Sequence, residues 1–528
     1  MTRLGQRRYP GAGGYTVEQA RELAALSRSL SRQIGLLIDR QGRVEQILVG
    51  DANAITIPEL SRARSGAGRL RGVRLMHTHL KPDGLSHEDL MDMLFLRLDS
   101  IGVLTVNDWG DPVSFQSAHL LPGHEDETAP CRVSPLTPWD QVRTDFAAEA
   151  AALEEELGRM LSGTRETGDA PRGVLVSVST LPRAVQERHA AELAELARTA
   201  GVVVTGTLIQ RVAQVHPRHL LGSGKLAELE VMALRGHASL IIFDGELTPA
   251  QLHSLSQVTE RKVLDRTQLI LDIFAQRAAS RAGKLQVEMA QLNYILPRLI
   301  GKNRAMDRLM GGIGGRGPGE TKLETDRRRI RDRLTRVKRE LDDVRRQRAT
   351  NRARRGKGEL PLAALVGYTN AGKSTLLNAL TKARTPTENK LFATLDPATR
   401  RLRVPYEREF VLADTVGFIR NLPKELVEAF QATLEELEAA HVLIHVIDAS
   451  HPEMEQQRAA VDGILADMGL YAASRLCVLN KWDLLDADSR QALGERHPEA
   501  VPVSAATGEG LAALSLRLAA CLENGSVS

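Results

Sequence analysis

The spacing of hydrophobic and polar residues divides the chain into units in which strands and helices alternate. The first unit covers residues 1–125, and we predict its strands at 34–38, 44–49, 73–76 and 103–106, and its helices at 16–32 and 86–98. A polar link at 126–172 follows, with one amphipathic acidic helix at about 145–161. The pattern predicts a small additional N-terminal α/β domain.

A second α/β unit covers residues 173–265. Its predicted strands lie at 173–179, 201–210 and 239–247, and its predicted helices at 183–200 and 223–236. Strands that alternate with helices at this spacing predict βαβ crossovers and a parallel sheet.

Residues 266–355 have the pattern of a helical arm that is broken once. Helical periodicity covers 285–300, and a second helix runs from Thr321 to about Arg354 with a narrow apolar seam. The seam consists of Leu323, Ile330, Leu334, Val337, Leu341 and Val344. The intervening stretch is too rich in glycine to pack, and 311–319 forms its tip. We therefore predict two antiparallel helices that make a projecting hairpin.

Positive charge is concentrated on this arm. The whole chain has a net charge of +4, yet Lys322–Arg355 holds fifteen Lys or Arg against six Asp or Glu, which is +9 locally and leaves −5 elsewhere. A basic arm favours RNA phosphates through counterion release. Because aromatic residues are only 3% of the chain, we expect phosphate and shape contacts rather than base stacking. The alternative is a solvated face with ion pairs such as Asp332–Arg336.

Residues 360–525 alternate strand and helix as a doubly wound domain does, and they carry the clearest chemistry. The segment 367–374 reads G-x-x-x-x-G-K-S between an apolar strand at 361–366 and a helix. Its glycines let the backbone N–H groups face phosphate oxygens. Lys373 would bring positive charge to the outer phosphates, and the Ser374 hydroxyl can ligate Mg²⁺. The motif predicts a nucleoside triphosphate site.

The base is indicated by the sequence NKWD, which ends in Asp483 and follows a strand at 476–479. A carboxylate here accepts hydrogen bonds from N1–H and the exocyclic amine of guanine, whereas adenine would present a lone pair to it. Asn480 is expected to brace the loop and contact the base, and the stem of Lys481 to lie over the ring. The motif therefore predicts that the nucleotide is GTP or GDP.

Two further segments resemble nucleotide switches. Asp414 ends a strand and can hold Mg²⁺ through water, while the Gly417 N–H can sense the γ-phosphate. Thr394 is the candidate whose hydroxyl joins the Mg²⁺ shell when the γ-phosphate is present. The predicted catalytic residues are Lys373, Thr394 and Gly417, and the predicted Mg²⁺ ligands are Ser374, Thr394 and Asp414. The predicted nucleotide contacts are Gly367, Tyr368, Thr369, Asn370, Ala371, Gly372, Lys373, Ser374, Thr375, Phe392, Ala393, Thr394, Leu395, Asp396, Asp414, Thr415, Val416, Gly417, Asn480, Lys481, Trp482, Asp483, Ser504, Ala505 and Ala506.

Together these segments resemble the TRAFAC-class GTPases, and more narrowly the HflX family. The narrower resemblance covers about 173–525 and rests on three stretches: DTVGFIRNLPKELVEAFQATLEE, FATLDP and GGIGGRGPGETKLETDRRRI. It implies an α/β N-terminal domain, a helical arm and a GTPase domain. It also implies association with the large ribosomal subunit and its rRNA in biogenesis, recycling or stress rescue, and a fraction bound peripherally to membranes.

Hydrolysis in this chain lacks one familiar group. Phe418 stands where many small GTPases have a glutamine that orients water, so either intrinsic hydrolysis is slow or another group positions the water. A hydrophobic residue here is similar to that of HflX relatives, and we expect a partner to speed turnover by reordering the switches. Asn370 resembles a P-loop asparagine that ligates K⁺ in related GTPases; alternatively, it only tolerates the turn geometry.

A possible metal site lies in residues 1–125, outside the HflX resemblance. His77 and His79 follow a predicted strand, and Ser86 and Asp89 open the next helix. Two histidines and an aspartate can bind zinc, so the candidate ligands are His77, His79 and Asp89. The alternative is a set of polar residues at a strand–helix turn.

This pattern resembles the JAMM metalloproteases, with Glu45 as the upstream acid. It departs from them in two ways. The gap between the second histidine and the serine is one residue shorter than usual, and Leu80 stands where a proline is expected.

Composition indicates the cellular compartment in which we expect the protein. Three cysteines, Cys131, Cys477 and Cys521, are far apart, which favours a reducing compartment over a disulfide framework. No secretory leader is visible, and no stretch approaches the roughly 18 apolar residues of a membrane span. We expect a cytoplasmic monomer. Two other classes stay open, an ATP-driven RNA-remodelling enzyme and a metallopeptidase with a regulatory G domain.

Overall fold

The computed structural model describes most of the chain, in these residues: 2–55, 57, 70–121, 131–162, 170–259, 261–299, 322–355, 360–381, 392, 398–404, 408–420, 426, 437, 440–470 and 474–524. They form two compact units. The first contains residues 2–190 and 201–264, and the second contains 191–200, 265–299 and what is described from residue 322 onward. None of the described helices combines the length and apolar composition that a membrane crossing needs.

The first unit begins with a mixed sheet in the strand order β2-β1-β3-β4-β5-β6, with β7 also paired to β5. Its strands are β1 (Ile34–Asp39), β2 (Val44–Val49), β3 (Val73–His79), β4 (Ile101–Val106), β5 (Pro112–Leu120), β6 (Cys131–Val133) and β7 (Thr137–Pro138). β3 and β4 are parallel, and β5 pairs antiparallel with β4, β6 and β7. The link predicted at 126–172 therefore contributes two strands to this sheet.

Helices cover the sheet of this N-terminal domain. They are α1 (Thr2–Gln6), α2 (Val17–Leu30), α3 (His87–Leu96) and α4 (Phe146–Ser162). Thr16 caps α2 and Ser86 caps α3, each in a capping box that satisfies backbone N–H groups of the first turn. The acidic helix predicted at 145–161 is α4, and its Phe146 ring meets Phe115 of β5 edge-on at 6.1 Å between centroids. The extra domain thus uses residues well beyond 125 for its core.

The next sheet has the order β11-β10-β8-β9, and β8 is parallel to both neighbours. Its elements are β8 (Arg172–Ser179), α5 (Arg183–Thr199), β9 (Val203–Arg211), α6 (Ser223–Arg235), β10 (Leu240–Phe243), α7 (Pro249–Val258) and β11 (Lys262–Asp265). Val174, Val176 and Ile241 lie in its buried core. The parallel pairing agrees with the strand–helix alternation of the sequence.

The arm in the second unit has one more break than its sequence pattern predicts. Its elements are α8 (Arg266–Arg277), α9 (Arg281–Ile295), a 3₁₀ turn (Leu296–Arg298) and α10 (Lys322–Arg355). The additional break separates α8 from α9, where the Ser280 side chain accepts from the Gly283 N–H and starts a new helix.

Helices α9 and α10 pack antiparallel. Leu285 contacts the seam residues Val337 and Leu341, and Arg333 makes two hydrogen bonds, of 2.5 and 2.7 Å, to the carboxylate of Glu288. Four seam residues are buried: Ile330, Leu334, Val337 and Leu341. The glycine-rich tip at 311–319 lies outside the described residues.

The C-terminal sheet has the order β13-β14-β12-β15-β16-β17, parallel except for β13. Its strands are β12 (Leu362–Val366), β13 (Ala398–Val404), β14 (Arg408–Asp414), β15 (Val442–Asp448), β16 (Arg475–Asn480) and β17 (Val501–Pro502). The described helices are α11 (Lys373–Thr381), α12 (Met454–Asp467), α13 (Ala487–Arg496) and α14 (Leu511–Asn524). The chain is therefore a multi-domain α/β protein with a doubly wound C-terminal domain.

Candidate nucleotide-binding site

Four parallel strands of the C-terminal sheet end beside one another. β14 ends at Asp414, β15 at Asp448 and β16 at Asn480, while the loop at 367–372 leaves β12. β12 lies between β14 and β15 in the sheet. The chain that follows β12 continues to β13 on one side of it, and the chain that follows β14 continues to β15 on the other side. Doubly wound sheets bind their ligands in the crevice at such a switch point.

The loop after β12 needs glycine at two positions. Gly367 has a φ of +153°, and a Cβ there would lie 2.2 Å from the Val446 carbonyl oxygen. Gly372 has a φ of +90°, and a Cβ there would lie 2.2 Å from Nδ2 of Asn480. Any side chain at either position would collide with a neighbour in this tight loop.

Lys373 is buried at the start of α11. Its Nζ donates to the carbonyl oxygens of Gly367, at 3.0 Å, and Tyr368, at 2.7 Å. Burial lowers the pKa of Lys373 to about 8, although the nearby Asp414 carboxylate acts in the opposite direction. The lysine is thus held inside the loop in a position where bound phosphate would favour its charged form.

Ser374 and Asp414 are in direct contact. The Ser374 hydroxyl donates to Oδ2 of Asp414 at 2.6 Å, and Asp414 is only 1% exposed. Thr415 donates its hydroxyl to the Leu365 carbonyl at 2.5 Å, which ties the end of β14 to β12. Thr394 lies outside the described residues, as do Ala393, Leu395 and Asp396.

Phe418 joins the segment after β14 to the P-loop through its backbone. The Thr369 N–H donates to the Phe418 carbonyl at 2.7 Å, and the Phe418 N–H donates to the Gly367 carbonyl at 3.1 Å. Its ring is 2% exposed. A buried phenyl ring cannot orient water, in agreement with the expectation from the sequence.

Asn480 connects two loops. Its Nδ2 donates to the Ala371 carbonyl at 2.8 Å, and its Oδ1 accepts from the Ala505 N–H at 3.0 Å. Asp483 follows in a 3₁₀ turn (Trp482–Leu484) and is half-buried. The P-loop, the NKWD loop and the loop after β17 therefore share one buried amide.

Asp448 is absent from the predicted site but lies at its edge. The Lys481 ammonium contacts Oδ2 of Asp448 at 2.6 Å, and Lys481 itself adopts a left-handed φ of +61°. This ion pair directs the lysine stem across the end of β15. Asp448 is the last residue of a strand, as Asp414 is. Its position at a strand end, where doubly wound sheets bind ligands, could have marked it as a site residue from the sequence.

A second unpredicted group surrounds Glu192, in the part of α5 that belongs to the second unit. Glu192 accepts hydrogen bonds from the Tyr368 hydroxyl at 2.6 Å, Nε of Arg420 at 2.6 Å and Nη2 of Arg266 at 2.9 Å. The Arg420 N–H donates to the same Tyr368 hydroxyl at 2.8 Å. Burial acts to raise the pKa of Glu192, but attraction to the two arginines together with the hydrogen bonds from Tyr368 and Arg420 outweighs burial and lowers it.

The segment that contains Thr394 has one described residue, Phe392. Its ring is 2% exposed and lies 4.6 Å, between centroids, from the ring of Phe274 in α8. Both contacts join nucleotide-loop residues to helices that precede the C-terminal domain, Phe392 to α8 and Tyr368 to Glu192 of α5. Local sequence patterns offer no signal for either.

The three candidate zinc ligands also converge. The ligand atoms of His77, His79 and Asp89 lie within 4.8 Å of one another. Glu45 does not join them. Gly35 of β1 pairs with His77 on one side and with Leu48 of β2 on the other, so Leu48 is the β2 residue level with His77. Glu45 lies three residues before Leu48, where the pairing is irregular, and it is exposed.

Three family models match the chain. GTP-binding GTPase N-terminal matches residues 187–275, GTP-binding GTPase Middle Region matches 277–355, and 50S ribosome-binding GTPase matches 362–481. These matches agree with the class that the fold and the site define, a P-loop GTPase.

Curated relatives narrow the class. GTPase HflX of Caldanaerobacter subterraneus is 50% identical over 318 residues, which are 60% of this chain and 74% of that protein. GTPase HflX of Lacrimispora saccharolytica is 47% identical and covers 67% and 84%, and GTPase HflX of Escherichia coli is 45% identical and covers 61% and 76%. The chain belongs to the HflX family of GTPases.

Among solved structures, a GTP-binding protein from Sulfolobus solfataricus in complex with GDP is 23% identical. It covers 67% of this chain and 99% of its own, with a TM-score of 0.37. The matches to known proteins support neither the ATP-driven nor the peptidase alternative.

Proposed function

We propose that this chain binds and hydrolyses GTP with Mg²⁺ and couples that cycle to the large ribosomal subunit. The proposal rests on one observation, the meeting of three loops at one sheet edge. There Lys373 lies inside the P-loop, Ser374 contacts Asp414 at 2.6 Å, and Asn480 ties the P-loop to the NKWD loop. Membership of the HflX family supports guanine as the base.

The oxygen atoms of Ser374, at the start of α11, and Asp414, at the end of β14, fit Mg²⁺. This ion binds few protein oxygens and keeps several waters and phosphate oxygens in an octahedron. A hydroxyl from Ser374 and a carboxylate from Asp414, already adjacent, match a direct ligand and a ligand acting through water. When bound, the ion would neutralise charge on the β- and γ-phosphates.

The remaining groups would act by position. Lys373 would place its ammonium at the phosphates and the Gly417 N–H would contact the γ-phosphate, while Thr394, which lies outside the described residues, is the residue that would join the Mg²⁺ shell. Asp483 selects guanine by accepting two hydrogen bonds. Because Phe418 offers no group to orient water, intrinsic turnover is slow and a partner that reorders the switches accelerates it.

The ribosomal partner is supported by the family description matched to 362–481 and by the basic arm. Exposed Arg336, Lys338 and Arg339 lie in the middle of α10, while its apolar seam faces α9. This leaves one charged face for phosphates of folded RNA. For every phosphate that the arm no longer neutralises, the slope of log K against log salt becomes shallower by about 0.7–0.9.

The test measures GTP turnover with and without purified large subunits. We expect large subunits to stimulate turnover by the wild-type chain but not by Lys373→Ala. When Arg336, Lys338 and Arg339 become glutamate, binding to the subunit should weaken, and the slope of log K against log salt should become shallower by about 2. Arg517→Glu, an exposed reversal on α14, is the matched control. Equal turnover with and without subunits, or an unchanged slope in the triple variant, would contradict the ribosomal role.

Potassium at Asn370 is a separate, finer proposal. Asn370 adopts a left-handed φ of +63° in the P-loop, a conformation that asparagine tolerates without any ion. Turnover measured in K⁺ and Na⁺ buffers tests whether its side chain also serves a cation. Faster turnover in K⁺, abolished in Asn370→Ser, supports the ion; equal rates contradict it.

A further inference from the structure

A buried cluster in the N-terminal domain has the geometry of a metal site that is separate from the nucleotide chemistry. His77 and His79 are two residues apart on β3, so their side chains point to the same face of the sheet. Asp89 lies in the first turn of α3. Their relative exposures are 0%, 8% and 9%. Burial at this level favours a defined role over solvated polar surface.

The separations between the ligand atoms suit one tetrahedral ion. Nε2 of His77 lies 3.1 Å from Nε2 of His79 and 3.2 Å from Oδ1 of Asp89, and Nε2 of His79 lies 3.5 Å from Oδ2 of Asp89. Zinc bonds of 2.0–2.1 Å at tetrahedral angles place neighbouring ligand atoms about 3.3 Å apart. The two distances to Asp89 end at different carboxylate oxygens, but one atom from each residue lies within 4.8 Å of the other two, which is close enough for all three residues to share one ion.

A hydrogen bond at the edge of the cluster orients the His79 ring. Nδ1 of His79 lies 3.3 Å from the Asp83 carbonyl oxygen, which can only accept, so the proton of neutral His79 is on Nδ1 and the Nε2 lone pair faces the cluster. That lone pair faces a carboxylate oxygen and the other imidazole, an arrangement that a cation between them stabilises. Such support for a ligating histidine is typical of metal sites.

Hydrogen bonds from Ser86 hold the carboxylate in place. The Ser86 N–H and hydroxyl both donate to Oδ2 of Asp89 at 2.7 Å. These two bonds fix the orientation of the carboxylate, whose other oxygen, Oδ1, lies 3.2 Å from Nε2 of His77.

We propose that His77, His79 and Asp89 bind one Zn²⁺ ion, with the fourth position open to water or a small exchangeable ligand. Two imidazoles and one carboxylate are a ligand set of zinc sites that keep an open position. Among the described residues no fourth His, Cys, Asp or Glu joins the cluster, and Glu45 lies elsewhere on β2. The proposal is therefore for metal binding and assigns no hydrolytic step.

The experiment uses the full chain, stripped with chelator and titrated with Zn²⁺ alone against a zinc indicator. We expect one ion per chain in the wild type and in His87→Gln, an exposed neighbour that is not part of the cluster. His79→Gln and Asp89→Asn lose this stoichiometric binding, and Ser86→Ala keeps it with about tenfold lower affinity. Circular dichroism checks that each variant folds.

A second measurement needs no variant. Co²⁺ replaces Zn²⁺ in the wild-type chain, and its visible spectrum reports tetrahedral coordination. Addition of acetohydroxamate changes that spectrum if the fourth position is open. Failure of the wild-type chain to retain Zn²⁺, or full retention in Asp89→Asn, overturns the site, and an unchanged Co²⁺ spectrum with acetohydroxamate overturns the open position.

Discussion

Removing the Asn480 amide tests whether one side chain joins the nucleotide loops. In Asn480→Ala the Ala371 carbonyl and the Ala505 N–H lose their partners in a region that is almost inaccessible to solvent, since Asn480 is 2% exposed. A buried polar group left unsatisfied costs about 1–3 kcal/mol. Two such groups, offset by relief from burying the amide itself, give a loss of about 3 kcal/mol.

The measurement is calorimetric unfolding of the full chain, read on the transition that shifts to higher temperature when GDP is added. For a domain of this size about 3 kcal/mol corresponds to a fall in Tm of roughly 6–12 °C. GDP affinity should fall at least about tenfold, because the P-loop carbonyl is no longer held.

Two variants separate this explanation from others. Asn480→Asp keeps the side-chain volume but places an oxygen against the Ala371 carbonyl, so it should destabilise as much as Asn480→Ala, whereas a cavity effect would spare it. Gln491→Ala removes an exposed amide whose hydrogen bond goes to Glu495, and it should shift Tm by less than about 1–2 °C. A Tm for Asn480→Ala no lower than that of Gln491→Ala would refute the reasoning.

Three further predictions concern the same unit. Asp483→Asn should weaken GDP binding by about 100-fold or more and favour xanthosine diphosphate, because an amide N–H can donate to the C2 carbonyl of xanthine; unchanged preference in competition binding would remove the role of Asp483. GDP affinity should fall about tenfold between pH 7 and pH 9. In the nucleotide-free protein the pKa of Lys373 is lowered to about 8, so above that pH the lysine loses the positive charge that attracts phosphates. An affinity that does not change with pH in fluorescence titration would contradict this. Glu192→Gln should lower the stability of the GDP-responsive transition by about 2 kcal/mol, because the buried Arg266 and the partly buried Arg420 lose their anionic partner. Glu195→Gln, an exposed change on the same helix, should leave it within about 0.5 kcal/mol.

Some features of the fold could be predicted because they are encoded over a few neighbouring residues. The seam of α10 follows from three- and four-residue steps, and its buried members meet α9 as expected. The strands of the first sheet that carry long apolar runs were also predicted. β5 was missed because serine, glutamine and histidine interrupt its apolar pattern. The short β6 and β7 were missed because strands of two or three residues owe their pairing to the edge they join rather than to their own pattern.

The amino-acid sequence by itself determined the nucleotide chemistry, because the G-x-x-x-x-G-K-S and NKWD loops bring their own backbone geometry and side chains within a few residues. Only the tertiary structure decided how those loops are connected. Asn480 reaches Ala371 across 109 positions, and Glu192 reaches Tyr368 across 176. Such contacts depend on how sheets and helices pack, so no local pattern of polar and apolar residues contains them.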